Sequence, residues 1–138
     1  MISARYIEMR NSDKRLKKDY QQTPPPMGVF LIRNTANDKV FVGAGLNLRG
    51  TMNRHRFQLN MGGHANQRLQ ADWSELGSSN FTFEIVDQLQ PRPDGNDRAD
   101  LESLLGLWLE RLRPFGAAGY NERKLTRAEL LRQIAAKH

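Results

Sequence analysis

The sequence contains no cysteine, which excludes disulfide bonds, thiolate metal sites and cysteine nucleophiles. It also contains no apolar run near the roughly 18 residues that a membrane-spanning helix needs. The first twenty residues are polar and charged, without the apolar segment of a signal peptide. These absences predict a reduced, cytoplasmic setting and no membrane partner.

Aromatic residues are scarce, at 8% of 138 residues, and apolar residues reach only 38%. This composition is typical of one globular domain with a modest core and polar termini. Acidic residues are missing from one long stretch, residues 39–71, which holds five lysines or arginines. The formal net charge is +6, and a basic protein with such a stretch favours polyanionic partners, nucleic acid first.

Hydrophobic periodicity predicts the element order β-β-α-α-β-α. The predicted strands are residues 27–33, 39–44 and 81–86, and the predicted helices are residues 47–60, 66–76 and a buried helix marked by Leu101, Leu104, Leu105, Trp108 and Leu112. In the second helix, Leu69, Trp73 and Leu76 are predicted to face the core. Three strands cannot bury both faces without helices, so we expect an α/β sandwich of the α+β type, with a largely antiparallel sheet flanked by helices.

Three regions are predicted along the chain. Residues 1–26 form a basic helical arm that ends in a stiff proline-rich linker. Residues 27–121 form the domain, and residues 122–138 form a basic C-terminal helix. That helix is predicted to begin at a capping box of Thr126 and Glu129.

The domain contains an ordered series of short motifs. They are Gly28-Val29-Phe30, Phe41-Val42-Gly43, Asn47-Leu48, His55, Gly63-His64, Leu69-Gln70, Asp72-Trp73, Trp108 and Gly119-Tyr120-Asn121. In order and spacing, residues 27–121 resemble the GIY-YIG nuclease superfamily. The resemblance implies its small α/β fold and, in active members, hydrolysis of phosphodiesters with one divalent metal ion.

The residues that the resemblance implies for catalysis are replaced in this sequence. Phe30 and Phe41 stand at the positions of two tyrosines that handle the attacking water. Thr51 stands at the position of an arginine, and Leu105 at that of the metal-binding glutamate. None of the four supplies the hydroxyl, guanidinium or carboxylate group that the chemistry uses. We therefore expect the family's hydrolytic activity to be absent and no metal ion to be bound.

Two positions implied by the resemblance are retained, and two charged residues lie near the replaced positions. His55 and Asn121 are retained, although His55 on an apolar stripe is typical of a hydrogen-bonded core residue and a backbone contact would also explain Asn121. Arg54 and Glu102 each lie one helical turn from the replaced arginine and glutamate positions. They leave open a displaced active site that uses Mg²⁺ or Mn²⁺.

The basic stretch supplies candidate contacts to nucleic-acid phosphates. They are Lys39, Arg49, Arg54, Arg56, His64 and Arg68. Three functions follow as hypotheses. The first is a catalytically silent nuclease-like module that binds DNA or a branched DNA end, or RNA instead, without a cofactor. The second is a metal-dependent endonuclease with displaced groups, and the third is a protein-interaction adaptor that docks through its terminal helices.

Overall fold

A three-stranded antiparallel sheet forms the centre of the domain. The computed structural model describes residues 26–123 and 127–136. Strands β1 (Met27–Asn34), β2 (Val40–Gly45) and β3 (Phe81–Leu89) are arranged in the order β2-β1-β3. Both neighbours run antiparallel to β1. Because β1 is central, both of its faces are buried, which explains its almost uninterrupted apolar sequence.

Four helices accompany the sheet in the described residues: α1 (Leu48–Met61), α2 (Gln67–Leu76), α3 (Asp97–Leu112) and α4 (Arg127–Ala136). The first three begin in the same way. The side chains of Asn47, Asn66 and Asn96 each accept a hydrogen bond from a backbone N–H three residues later. Such caps satisfy an amide that would otherwise lack a partner at the helix start.

Helices cover the two faces of the sheet unequally. On one face, Phe30 and Ile32 pack with residues of α1 and α2, and Tyr120 from the C-terminal loop completes this core. On the other face, Val29 and Leu31 pack against α3. The predicted order β-β-α-α-β-α and the α+β class are therefore confirmed, with a sheet that is antiparallel throughout.

Two residues predicted to face the core are largely outside it. Leu76 is 36% exposed and Leu112 is 37% exposed. Each is the final residue of its helix, where the next turn that would help to bury a side chain is missing. The prediction was wrong for these two positions because periodicity alone does not show where a helix leaves the core.

Most of the predicted N-terminal arm and Thr126 lie outside the described residues, as does the side chain of Glu129. The domain boundaries and the capping box therefore stay predictions. None of the helices that the structure describes combines the length and the apolar character needed to cross a bilayer.

The outer edge of β2 is partly closed by the C-terminal loop. Tyr120 N–H donates to the Val40 carbonyl at 3.0 Å. The Asn121 side chain accepts from Val42 N–H and donates to the Val42 carbonyl, both at 2.8 Å. The loop thus takes the place of a fourth strand along the first half of β2 and leaves its C-terminal end open.

Candidate functional site

A cleft of about 480 Å³ lies at the C-terminal end of β2, between elements that pack on opposite sides of the sheet. The segment after β2 contributes one wall together with α1, and the first turns of α3 contribute the other. Its polar lining consists of Asn47, Thr51, Arg54, Arg98 and Glu102. Helices from opposite sides of the sheet therefore line the same cleft.

This cleft brings together four residues that the sequence singles out. Thr51 and Leu105, at the arginine and glutamate positions of the resemblance, both line it, and so do Arg54 and Glu102. Thr51 is buried, and its side chain lies so close to Gly45 that a Cβ atom at that glycine would clash with it. Leu105 also packs into the second core. Two of the four are thus used for packing, and two present charges.

The charges of the cleft favour an anion. Arg54 and Arg98 face it together with a single carboxylate, Glu102. Neither arginine forms an ion pair with any of the described residues. Over residues 26–123 and 127–136, no group of three histidine or acidic side chains is placed to hold a metal ion. This donor set does not fit a divalent cation, because two guanidinium groups outweigh the only carboxylate.

Arg98 was not among the sequence candidates. It lies in the first turn of α3, four residues before Glu102, and so occupies the same helical face. That spacing was visible in the sequence. What the sequence did not reveal is that this face of α3 meets the first turns of α1.

Four rings form a second cluster, made of Phe30, Phe41, His55 and His64. Their centroids lie between 4.9 and 5.8 Å apart in the contacting pairs. Phe30 is fully buried. Its para carbon, Cζ, would lie only 2.7 Å from a Cβ atom at Gly43, so the ring lies directly over that glycine. The two phenylalanines therefore fill an apolar cluster beside the imidazoles.

Hydrogen bonds fix the protonation pattern of the histidine pair. The Asn66 N–H donates to His64 Nδ1 at 3.0 Å. A neutral His64 must then carry its proton on Nε2, which lies 2.7 Å from His55 Nδ1 and donates to it. A neutral His55 therefore keeps its own proton on Nε2. The remaining nitrogen of His55 is a hydrogen-bond donor in this arrangement, not a base.

The surroundings of the pair keep both rings neutral near pH 7. Burial, followed by His64 and Arg54, lowers the pKa of His55 to about 4. Burial also lowers the pKa of His64. The structure therefore places His55 in a hydrogen-bonded ring cluster, the arrangement typical of a core histidine, and outside the lining of the cleft.

Two predicted phosphate contacts are directed into the protein. His64 is only 8% exposed, because its ring pairs with His55. Arg68 donates to the carbonyls of Gly116 and Gly119 and so anchors the C-terminal loop. The expectation of surface phosphate contacts is corrected for His64, since both of its ring nitrogens have partners inside the domain.

The other basic candidates are distributed unevenly. Arg49, Arg54 and Arg56 are exposed on α1, and the Arg56 guanidinium also lies 4.4 Å from the centre of the Phe83 ring. Lys39 directly precedes the first residue of β2, whereas the cleft lies at the C-terminal end of this strand. Six extended residues span about 20 Å. Of these α1 arginines, Arg54 lines the cleft, whereas Arg49, Arg56 and Lys39 are not part of its lining.

Tyr120 connects three segments of the domain through its hydrogen bonds. The Tyr120 hydroxyl donates to Asp72 at 2.6 Å and accepts from Asn34 Nδ2 at 2.9 Å. Its backbone carbonyl accepts from Asn66 Nδ2 at 2.7 Å. Burial and the hydrogen bond to Asp72 raise the pKa of Tyr120 to about 12. The phenol thus stays protonated and joins the end of β1, α2 and the C-terminal loop.

Comparison with protein-family models and with curated proteins found no match. Solved structures do match. A mutant of the catalytic domain of the intron endonuclease I-TevI aligns with a TM-score of 0.61 and 25% identity, covering 73% of this chain and 97% of that domain. The catalytic domain of the homing endonuclease I-TevI aligns with a TM-score of 0.57 and 28% identity, covering 71% and 99%. The chain therefore has the fold of a GIY-YIG endonuclease catalytic domain and is a structural relative of that superfamily.

Proposed function

We propose that this protein is a nuclease-like module that binds nucleic acid through its phosphates and does not hydrolyse them. The observation that carries the proposal is the composition of the cleft. Thr51 and Leu105 occupy the positions implied for catalysis, and two arginines face one carboxylate. An anionic backbone fits this cleft better than a catalytic metal ion does.

The absence of hydrolysis follows from the functional groups. Phe30 and Phe41 have no hydroxyl group with which to position or deprotonate water. His55 offers a donor at neutral pH, because its Nδ1 accepts from His64. Enzymes lower their barriers by about 8–23 kcal/mol, and Phe30, Phe41 and Leu105 supply none of the charge stabilisation that such a reduction requires.

Binding follows from the same cleft and from α1. Arg54 and Arg98 can each neutralise a phosphate, and the sequence from residue 39 to residue 71 contains no acidic side chain that would repel the backbone. Each neutralised phosphate releases counterions, so the affinity depends steeply on salt. Phosphate contacts position a strand but carry no base preference.

Fluorescence anisotropy with labelled DNA at several salt concentrations tests the binding. Arg54→Gln and Arg98→Gln should each weaken binding. In a plot of log affinity against log salt concentration, each substitution should make the slope shallower by about 1. Arg111→Gln is the matched control, since it removes the same charge from α3 about 20 Å along the helix from Arg98. DNA binding that is undetectable even at low salt, with RNA giving the same result, would refute the proposal.

The competing function is a metal-dependent endonuclease with displaced groups. One observation favours it, since Arg54 and Glu102 line the same cleft. Incubation of supercoiled plasmid with protein and Mg²⁺ or Mn²⁺ decides between the two functions. We expect no nicking. Metal-dependent nicking that Glu102→Ala abolishes would establish the endonuclease instead.

The adaptor function depends on the terminal segments. Leu131 and Ile134 on α4 are 55% and 50% exposed, which leaves apolar surface for a partner. Molecular mass measured for the full chain and after deletion of residues 1–22 or 125–138 tests this function. An unchanged monomer in every case would count against it.

A further inference from the structure

The outer face of α1 carries two large apolar side chains in the middle of its polar surface. Phe57 is 64% exposed and Met61 is 70% exposed. Phe57 lies nine residues after the fully buried Leu48, which is two and a half turns, so it points directly away from the core. Phe57 and Met61, one turn apart on the same side, are called the Phe57 patch below.

The polar neighbours of the patch suit a polyanion. Arg54 precedes Phe57 by three residues, which puts the two side chains about 5–6 Å apart at Cβ on the same helical surface. Asn53 and Asn60, both exposed, flank Phe57 on its other side. Helix α1 contains no acidic residue. An apolar protein surface would leave the arginine and the amides unmatched, and an acidic surface would leave Phe57 and Met61 unmatched. A nucleic-acid strand offers phosphates and aromatic bases together.

The patch also continues from the cleft. Arg54 lines the cleft, and Phe57 follows it along α1 in the direction away from the start of the helix. A strand whose phosphate contacts Arg54 and Arg98 can therefore continue over Phe57. Paired bases in a duplex are stacked on each other and offer no open face, but an unpaired base can stack on an exposed ring.

We propose that the Phe57 patch stacks on unpaired bases, so that the preferred partner is a single strand or the unpaired part of a frayed or branched duplex. This inference rests on the proposed nucleic-acid binding and specifies its partner. Phe57 supplies a ring face, Met61 extends the apolar surface, and the arginines of the cleft hold the adjoining phosphates.

The test compares single-stranded and fully paired DNA of equal length in the anisotropy assay. Phe57→Ala should weaken single-strand binding by between about 5-fold and 150-fold, the range for loss of one stacked base. Phe57→Trp should retain it. Duplex binding should change less than about twofold in both variants. Leu107→Ala is the control, because Leu107 is a comparably exposed apolar residue, 66%, on α3.

Each outcome supports or overturns a specific claim. Equal losses on single strands and duplexes, or no loss on either, would overturn the stacking role while leaving phosphate binding intact. A dimer that Phe57→Ala converts to a monomer would also overturn it, by showing that a second copy covers the patch. If the wild-type protein binds neither DNA nor RNA, the proposed function itself fails.

Discussion

Replacement of His55 by glutamine should make folding less sensitive to acid. In the folded protein the pKa of His55 lies at about 4, against 6.5 for an unperturbed histidine. The unfolded chain therefore binds a proton more readily. The contribution of neutral His55 to the free energy of unfolding is fully present above pH 6.5 and is lost as the pH falls from 6.5 towards 4. A glutamine can still accept the hydrogen bond from His64 but cannot be charged in this range.

The size of the effect follows from the two pKa values. At pH 4.5 the difference corresponds to at most about 2.6 kcal/mol of unfolding free energy. Because His55 is only partly buried, solvent screening reduces this, and we expect about 1.3 kcal/mol. Glu84 also loses stabilisation in acid, because its hydrogen bond to Arg33 lowers its pKa. That loss occurs in both proteins and cancels in the comparison.

Urea unfolding at pH 8 and pH 4.5 measures the effect. Between these pH values the wild-type protein should lose about 1.3 kcal/mol more than His55→Gln. Parallel losses in the two proteins would refute the reasoning, since they would mean that the imidazole is as easily protonated in the folded state as in the unfolded chain.

Three further substitutions test contacts that hold the site in place, each by urea unfolding at pH 8. Gly43→Ala should destabilise the fold by about 1–3 kcal/mol, because its methyl group would meet the Phe30 ring; stability equal to wild type would contradict that packing. Asn121→Ala should cost about 1–3 kcal/mol, because both hydrogen bonds to the Val42 backbone are lost. Tyr120→Phe should cost a similar amount through the lost hydroxyl contacts, and unchanged stability would show that water replaces them.

Features encoded by short segments could be predicted from the sequence. The order of strands and helices follows from local periodicity, and helices α1 and α2 begin within one residue of the predicted positions. Counting turns also placed Arg54 near Thr51 and Glu102 near Leu105, since a helix fixes the relation between residues three or four apart. That the two pairs line one cleft depends on how the helices pack.

Features that depend on contacts between distant segments could not be predicted. Arg98 joins Arg54 only because α3, which packs on the far face of the sheet, begins beside the first half of α1. His55 and His64 belong to a helix and the loop after it, so no periodicity relates them. Their pairing decides that His64 is buried, whereas charge pattern alone favoured a surface role.

The closure of β2 by residues 119–121 has a consequence for biosynthesis. These residues are synthesised after β2 and after α3. While α3 is being synthesised, the backbone groups on the outer edge of β2 that contact residues 120 and 121 therefore lack these partners. An open strand edge of this kind can pair with another chain. We expect docking of residues 119–121 to cover this edge, a consequence of the fold that is separate from any ligand.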